Sequence, residues 1–366
     1  MSKKYIWIAS VFILVILVVF FTKSFSRESG PIKIGAILNL TGSSASQGEN
    51  SQKAIDMAVA EINSAGGVLG RQVQMDYQDN MGDNPKGGLT AFYNLINKGV
   101  KLIIGPNQTP TGNVIAPLVM KNDAVMITPS VGSEKFAEAG PRTFNTFPPN
   151  KFDSFAIAEY LYDKGYRKIA VFGSQQEWEH DQANFVKQKF EEKGGQVVAF
   201  ELPLTESKDL NTESLKIKSA NPEAIVFTDY GQTAIASKRL RELGVVVPFY
   251  SVLLFPFQID GAQGSLENTV FVATDTTNKE FEDKFSAKYN NAPNFPASQA
   301  YDAVKLMVKA IEVAKSTKPE KVADALSSIK DYKGVSGDLK FDADGNAHKE
   351  VLFYQVKDGK IVPFKK

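Results

Sequence analysis

Apolar residues along this chain fall into two alternating spacings. Short, mostly apolar runs at 32–38, 100–104 and 124–127 read as strands buried on both faces. Between them apolar residues recur every three to four positions. Ile55, Ala58, Val59 and Ile62 share one face of a helix expected over 47–65, which Gly66-Gly67 closes. A strand over 72–77, a helix over 84–98 and a helix over 111–121 complete a run of βα units, which predicts a doubly wound sheet.

Near Pro148 the alternation starts again. Helices are expected over 151–164, 177–193, 210–219 and 233–243, with strands over 168–172, 197–201, 224–228 and 249–253. The restart points to a second lobe of the same kind rather than one long sheet. Three helices follow, over 279–289, 296–315 and 318–329, and then short strands over 338–341, 350–357 and 361–363. Asp344-Gly345 is a hairpin signal between the first two of those strands. The fold class is therefore α/β, with two doubly wound, Rossmann-like lobes. A length of 366 residues agrees, since it exceeds what one core usually supports.

The extreme N-terminus breaks the pattern. Lys3 and Lys4 precede an unbroken apolar run over 5–21, and Lys23 and Arg27 follow it. Basic residues ahead of such a run hold its N-terminus in the cytoplasm and carry the rest of the chain outside. The run is close to the length that spans a bilayer, and an uncleaved membrane anchor is favoured over a signal peptide cut near Ser24-Phe25-Ser26. An extracytoplasmic protein anchored to the cytoplasmic membrane is expected.

Composition removes several function classes. With 42 basic and 41 acidic residues the formal charge is +1, and no basic run outside the N-terminus suggests a nucleic-acid surface. No cysteine is present, so disulfides, thiolate nucleophiles and sulfur-ligated metals are absent. After the first strand stands Thr41-Gly42-Ser43-Ser44, not the glycine pattern of a dinucleotide site, and no phosphate loop or nucleophile elbow occurs. His180 and His348 lack metal spacing and read as surface residues, and Asp342-Ala343-Asp344-Gly345 reads as a plain turn. The sequons at Asn39 and Asn107 fall at strand ends and carry no weight. A non-enzymatic protein without cofactor or metal is expected.

Two strand ends carry the positive signal. The strand over 100–104 runs into Gly105-Pro106-Asn107-Gln108-Thr109, and that over 124–127 into Thr128-Pro129-Ser130-Val131-Gly132-Ser133. In an open α/β sheet, ligands bind beyond the carboxyl ends of the strands. Thr109 stands just before a helix whose first N–H groups attract a carboxylate. Ser130 and Ser133 follow the next strand, and Gly132 permits close backbone approach. Each hydroxyl alone would read as a helix cap; adjacent strand ends with the same chemistry point to a small polar or anionic ligand.

These features resemble a known family. The segments 34–42, 58–63 with Gly66-Gly67-Val68-Leu69-Gly70, Asp79 with Pro85, Ile103-Ile104-Gly105-Pro106, Ile127-Thr128-Pro129-Ser130 and 337–345 are similar to the branched-chain amino-acid (Leu/Ile/Val) type of periplasmic solute-binding protein. The resemblance implies a two-lobed clamp of the type I binding-protein fold with three crossovers. Residues 31–148 and 275–330 would form the first lobe, and 149–274 with 331–366 the second. It further implies that Thr109 and its neighbour Gln108, with Ser130, Val131, Gly132 and Ser133, hold the ligand's carboxylate. Gln47 also falls at a contact position, Trp178 falls where an aromatic residue closes over the ligand, and Asp229 or Tyr230 falls near a second aromatic position.

The sequence departs from the resemblance at the ammonium site. The acid expected from the second lobe is replaced by Leu253, and Asp229 is the candidate to replace it. Without such an acid a buried ammonium is costly, so an aromatic or aliphatic carboxylate is the other expectation. The implied function is capture of a small carboxylate by hinge closure and delivery to an ABC permease in the membrane. A sensory subunit reporting to a membrane receptor is the alternative.

Overall fold

The computed structural model describes residues 30–366 except 43, 83, 206, 275 and 276. The expected anchor at 5–21 lies outside the described residues. Among the described residues no helix is long and apolar enough to cross a membrane.

The first half of the chain alternates as the spacing predicts. It runs β1 (Ile32–Leu38), α1 (Ala45–Ser64), β2 (Val73–Asp79), α2 (Pro85–Asn97), β3 (Leu102–Ile104), α3 (Thr109–Val119), β4 (Val125–Thr128), the short α4 (Glu134–Ala137) and β5 (Thr143–Asn145). The five strands are parallel in the order β2-β1-β3-β4-β5. Asn84 starts α2 by accepting N–H bonds from Lys86 and Gly87, each 3.1 Å, and Pro85 fills a first-turn position that needs no donor. Because side chains alternate across a strand, β1 feeds two cores. Ile32, Ile34, Ala36 and Leu38 join one, and Ile37 the other. Gly35 faces α2 so closely that a Cβ there would stand 2.6 Å from Leu95.

The second run comprises α5 (Asn150–Asp163), β6 (Lys168–Phe172), α6 (Glu177–Glu192), β7 (Gln196–Glu201), α7 (Asn211–Ala220), β8 (Ala224–Phe227), α8 (Thr233–Glu242), β9 (Phe249–Val252), α9 (Pro256–Ala262) and β10 (Val270–Ala273). Alternation again splits the layers. Ala170, Phe172, Ile225 and Phe227 face the side of α7, α8 and α9, while Ile169, Val171, Ala224 and Val226 face α5 and α6.

The chain then crosses back. The helices α10 (Lys279–Tyr289), α11 (Ala297–Ala314) and α12 (Pro319–Ser327) bury Phe281, Val304 and Leu326 in the core of β1. The remaining strands are β11 (Tyr332–Gly334), β12 (Gly337–Phe341), β13 (Ala347–His348), β14 (Leu352–Lys357) and β15 (Lys360–Pro363). The second sheet orders β15-β14-β10-β9-β8-β6-β7, with β14 and β15 antiparallel. The molecule is thus a two-lobed α/β clamp, in which the chain passes between the cores between β5 and α5, between β10 and α10 and between β13 and β14.

Two expectations change. Asp344-Gly345 does turn a hairpin, but its second strand is β13, not the strand over 352–357, which joins the second sheet. Residues 331–348 were expected in the second lobe. Leu339, Phe341 and Ala347 instead lie in the first core, where Phe341 meets Phe144 edge to face at 5.3 Å. The third crossing therefore comes after His348. The turn at Asp342 is built by its carboxylate, which accepts from the N–H groups of Asp344 and Asn346 and pairs with His348.

Candidate functional site

The carboxyl ends of β3 and β4 are stitched together. The Ser130 hydroxyl donates to the Asn107 carbonyl at 2.8 Å, and the Thr128 hydroxyl to that of Pro106. Asn107 in turn donates to Ser51 on α1 at 3.0 Å, and Gln108 to Gln47 at 2.8 Å. Thr109 is buried as the first residue of α3, followed by Pro110. Among the described residues the N–H groups of Ser130 and Val131 reach only the Thr128 hydroxyl, at 3.4 and 3.3 Å. Bonds that long are weak, so this loop and the start of α3 form a surface of hydroxyls and under-used N–H donors suited to an anion. Gly132 is buried on the same loop, and Ser133 begins α4 without using its side chain as a cap.

The second lobe meets this surface with aromatic rings. Trp178 sits in the first turn of α6, where the Gln176 side chain accepts its N–H at 2.7 Å. Tyr230 follows β8, its N–H bonded to the Glu179 carboxylate at 3.0 Å. Its ring lies 5.0 Å from those of both Phe255 and Phe257. Phe255 packs on Phe295 at 5.7 Å, and Phe295 on Phe147 at 5.5 Å. Leu253, Phe147 and Ala273 are the buried centre of this cluster, against which Trp178, Phe255 and Phe295 pack.

The two sides touch. Asn113 on α3 donates to Glu177 on α6 at 2.8 Å, and Lys151 on α5 pairs with Glu134 on α4. The Tyr230 side chain is hydrogen bonded to Gln47, and burial is the main reason its hydroxyl is held above the usual range. Of the candidates read from the sequence, the structure brings Gln47, Gln108 and Tyr230 into one hydrogen-bonded chain. Trp178 lies beside Gly132, with its indole nitrogen 3.2 Å from where a Cβ would stand.

Asp229 does not serve as the replacement acid. Its carboxylate accepts the N–H groups of Thr233, at 2.9 Å, and Gln232, so it caps the start of α8. It is 5% exposed and shares its pocket with the equally buried Glu179. Burial first, and then the neighbouring Glu179 charge, push its pKa up to about 8. A carboxyl pushed towards its neutral form and already committed to the start of α8 is a poor counter-charge for an ammonium. At the other departure, Leu253 is buried with φ +64°, its N–H bonded to Val272 at 2.9 Å. The wall where the acid was expected is apolar.

Sequence reasoning missed Phe147, Phe255, Phe295, Glu179 and Asn150. Phe295 lies far along the chain from the strands it faces, and no local spacing marks it. Asn150 carried a usable signal, a polar residue directly after a crossing, but the helix was expected to begin at Lys151 and Asn150 fell just outside it. Among the described residues no group of three or more potential metal-ligating side chains gathers.

The family model described as "Periplasmic binding protein" matches residues 31–360. The leucine-, isoleucine-, valine-, threonine- and alanine-binding protein of Pseudomonas aeruginosa is 27% identical over 333 residues, covering 88% of this chain and 89% of its own. A leucine-binding protein from Thermotoga maritima superposes with a TM-score of 0.81 at 26% identity, over 91% of this chain and 98% of that one. A solute-binding protein of an ABC transporter from Rhodopseudomonas palustris, solved with p-hydroxybenzoic acid, shares the fold at a TM-score of 0.80 and 24% identity, over 91% and 95% of the two chains.

Proposed function

The chain belongs to the periplasmic binding protein family, of the branched-chain amino-acid type, and from that premise we propose that it captures a small carboxylate with an apolar body and delivers it to an ABC importer. The observation that carries this reading is the contrast between the two walls. The start of α3 and the 130–133 loop offer hydroxyls and N–H groups. The facing wall offers Trp178, Tyr230, Leu253 and Phe255, and Asp229 is turned away into a helix cap.

Binding would proceed by closure. The ligand's carboxylate docks on the first lobe, and its apolar body then meets the aromatic wall only when the lobes meet. A ligand shifts the open–closed balance only by its extra affinity for the closed state, and here that extra is the burial of its body. Relatives that bind branched-chain amino acids and one that binds an aromatic acid support the ligand range. The basic-flanked apolar segment at 5–21 supports an extracytoplasmic, membrane-tethered location.

The test is a thermal-shift and calorimetry panel of benzoate, 4-hydroxybenzoate, leucine and benzamide, since a ligand of the native state raises apparent stability. The carboxylates are expected to stabilise the protein and benzamide, which lacks the anion, is not. Thr109→Ala is expected to weaken the best carboxylate by about tenfold or more, a loss of about 1.4 kcal/mol. A panel in which benzamide equals benzoate would reject the carboxylate.

A further inference from the structure

Asn150 is 2% exposed, yet among the described residues neither its side-chain carbonyl oxygen nor its amide nitrogen has a hydrogen-bond partner. Buried amides are almost always paired, because an orphaned one forfeits its water without compensation. Asn150 opens α5, the first element after the chain's first crossing, and its backbone N–H donates to the Gly132 carbonyl at 2.9 Å. Its side chain lies on that same residue. A Cβ on Gly132 would stand 2.1 Å from the Asn150 side-chain oxygen and 3.2 Å from the Trp178 indole nitrogen. Glycine at 132 is what leaves the carboxamide its room. The orphaned amide therefore stands between the anion-binding loop and the aromatic wall.

We propose that Asn150 is a ligand-binding residue that donates its amide N–H to the carboxylate of the bound solute, completing from the second-lobe side the grip made by Thr109 and the 130–133 loop. The proposal rests on the carboxylate reading above. An amide suits the task because it donates to an anion without carrying charge, so the empty site pays no Born penalty for it. Gly132 and Asn150 act as a matched pair: a side chain on the loop would push the carboxamide aside.

Calorimetry with the tightest of benzoate, 4-hydroxybenzoate and leucine tests it, using wild type, Asn150→Ala, Gly132→Ala and the double variant. Each single variant is expected to lose about tenfold or more in affinity, and the double variant no more than Asn150→Ala alone. The melting temperature of each variant guards against a folding failure. In Asn150→Asp an acid in the first turn suits the helix, but it is buried and unpaired where the amide carried no charge, so this variant is expected to melt below wild type, to remain folded at 25 °C and to lose carboxylate binding. Asn150→Ala and Asn150→Asp binding within about twofold of wild type would overturn the assignment and leave the carboxylate reading standing. Wild type that binds none of the three probes would overturn both.

Discussion

Asn113 of the first lobe donates a 2.8 Å hydrogen bond to Glu177, at the start of α6 in the second. Separating the lobes breaks this bond, so its free energy belongs to the closed state alone. A hydrogen bond to a charged, partly exposed acceptor contributes on the order of 1 kcal/mol. Asn113→Ala is therefore expected to weaken ligand binding by about fivefold, mostly through faster release. Stopped-flow fluorescence of Trp178 during ligand release reads the rate. An unchanged release rate would show that the bond does not hold the lobes together.

Gly48 inverts a common rule. Replacing glycine by alanine inside a helix usually stabilises by up to about 1 kcal/mol. Gly48 lies in α1, where a Cβ would stand 2.1 Å from the backbone oxygen of Asn39, just beyond β1. Backbone cannot rotate away as a side chain can, so strand and helix must separate. Gly48→Ala is expected to destabilise the first lobe by roughly 1–3 kcal/mol, read from the denaturant midpoint. A midpoint that rises would mean that the approach of α1 to β1 is looser than described.

The Asp229–Glu179 pocket makes stability depend on pH. Asp229 is raised from 3.8 to about 8 in the folded protein, by burial and then by Glu179. Folding then takes up a proton between those limits, so the native state binds more protons than the unfolded chain. Stability must fall as pH rises from about 4 towards 8, by at most about 1.4 kcal/mol per pH unit for this one group. Asp229→Asn keeps an acceptor for the Thr233 N–H and cannot ionise. It is expected to flatten that slope and to melt above wild type at pH 8. Equal slopes in the two proteins would place the pH dependence elsewhere.

Much of this architecture was legible because strand and helix periodicities are local. The runs at 32–38, 168–172 and 224–228 announced themselves as strands, and the Thr109 and Ser130 loops fell at the strand ends as expected. What escaped was short or shared. α4 and β5 have four and three residues, too few for a period. Val270–Ala273 is apolar but only four residues long, again too short to show a period of its own. Asp229 misled for a physical reason: an acid placed to cap a helix and an acid placed to meet a ligand look alike in sequence. Only the bonds from Thr233 and Gln232 separate them. The aromatic wall was illegible because Phe147, Phe255 and Phe295 come from distant parts of the chain.

Leu253 is where the ligand's charge can be read most directly. It is buried with Phe147 and Ala273 in the cluster against which Trp178 and Phe255 pack. Leu253→Glu places a carboxylate there with no cation to meet it, which costs on the order of 3 kcal/mol in the empty protein. The melting temperature should fall accordingly. An α-amino acid brings an ammonium to that wall and offsets the cost, whereas benzoate brings only a ring. The ratio of leucine to benzoate affinity is thus expected to rise by about tenfold or more over wild type, measured by calorimetry on both ligands. If the ratio stays put while stability falls, Leu253 supports the wall without selecting the ligand, and the discrimination must come from Trp178 and Tyr230.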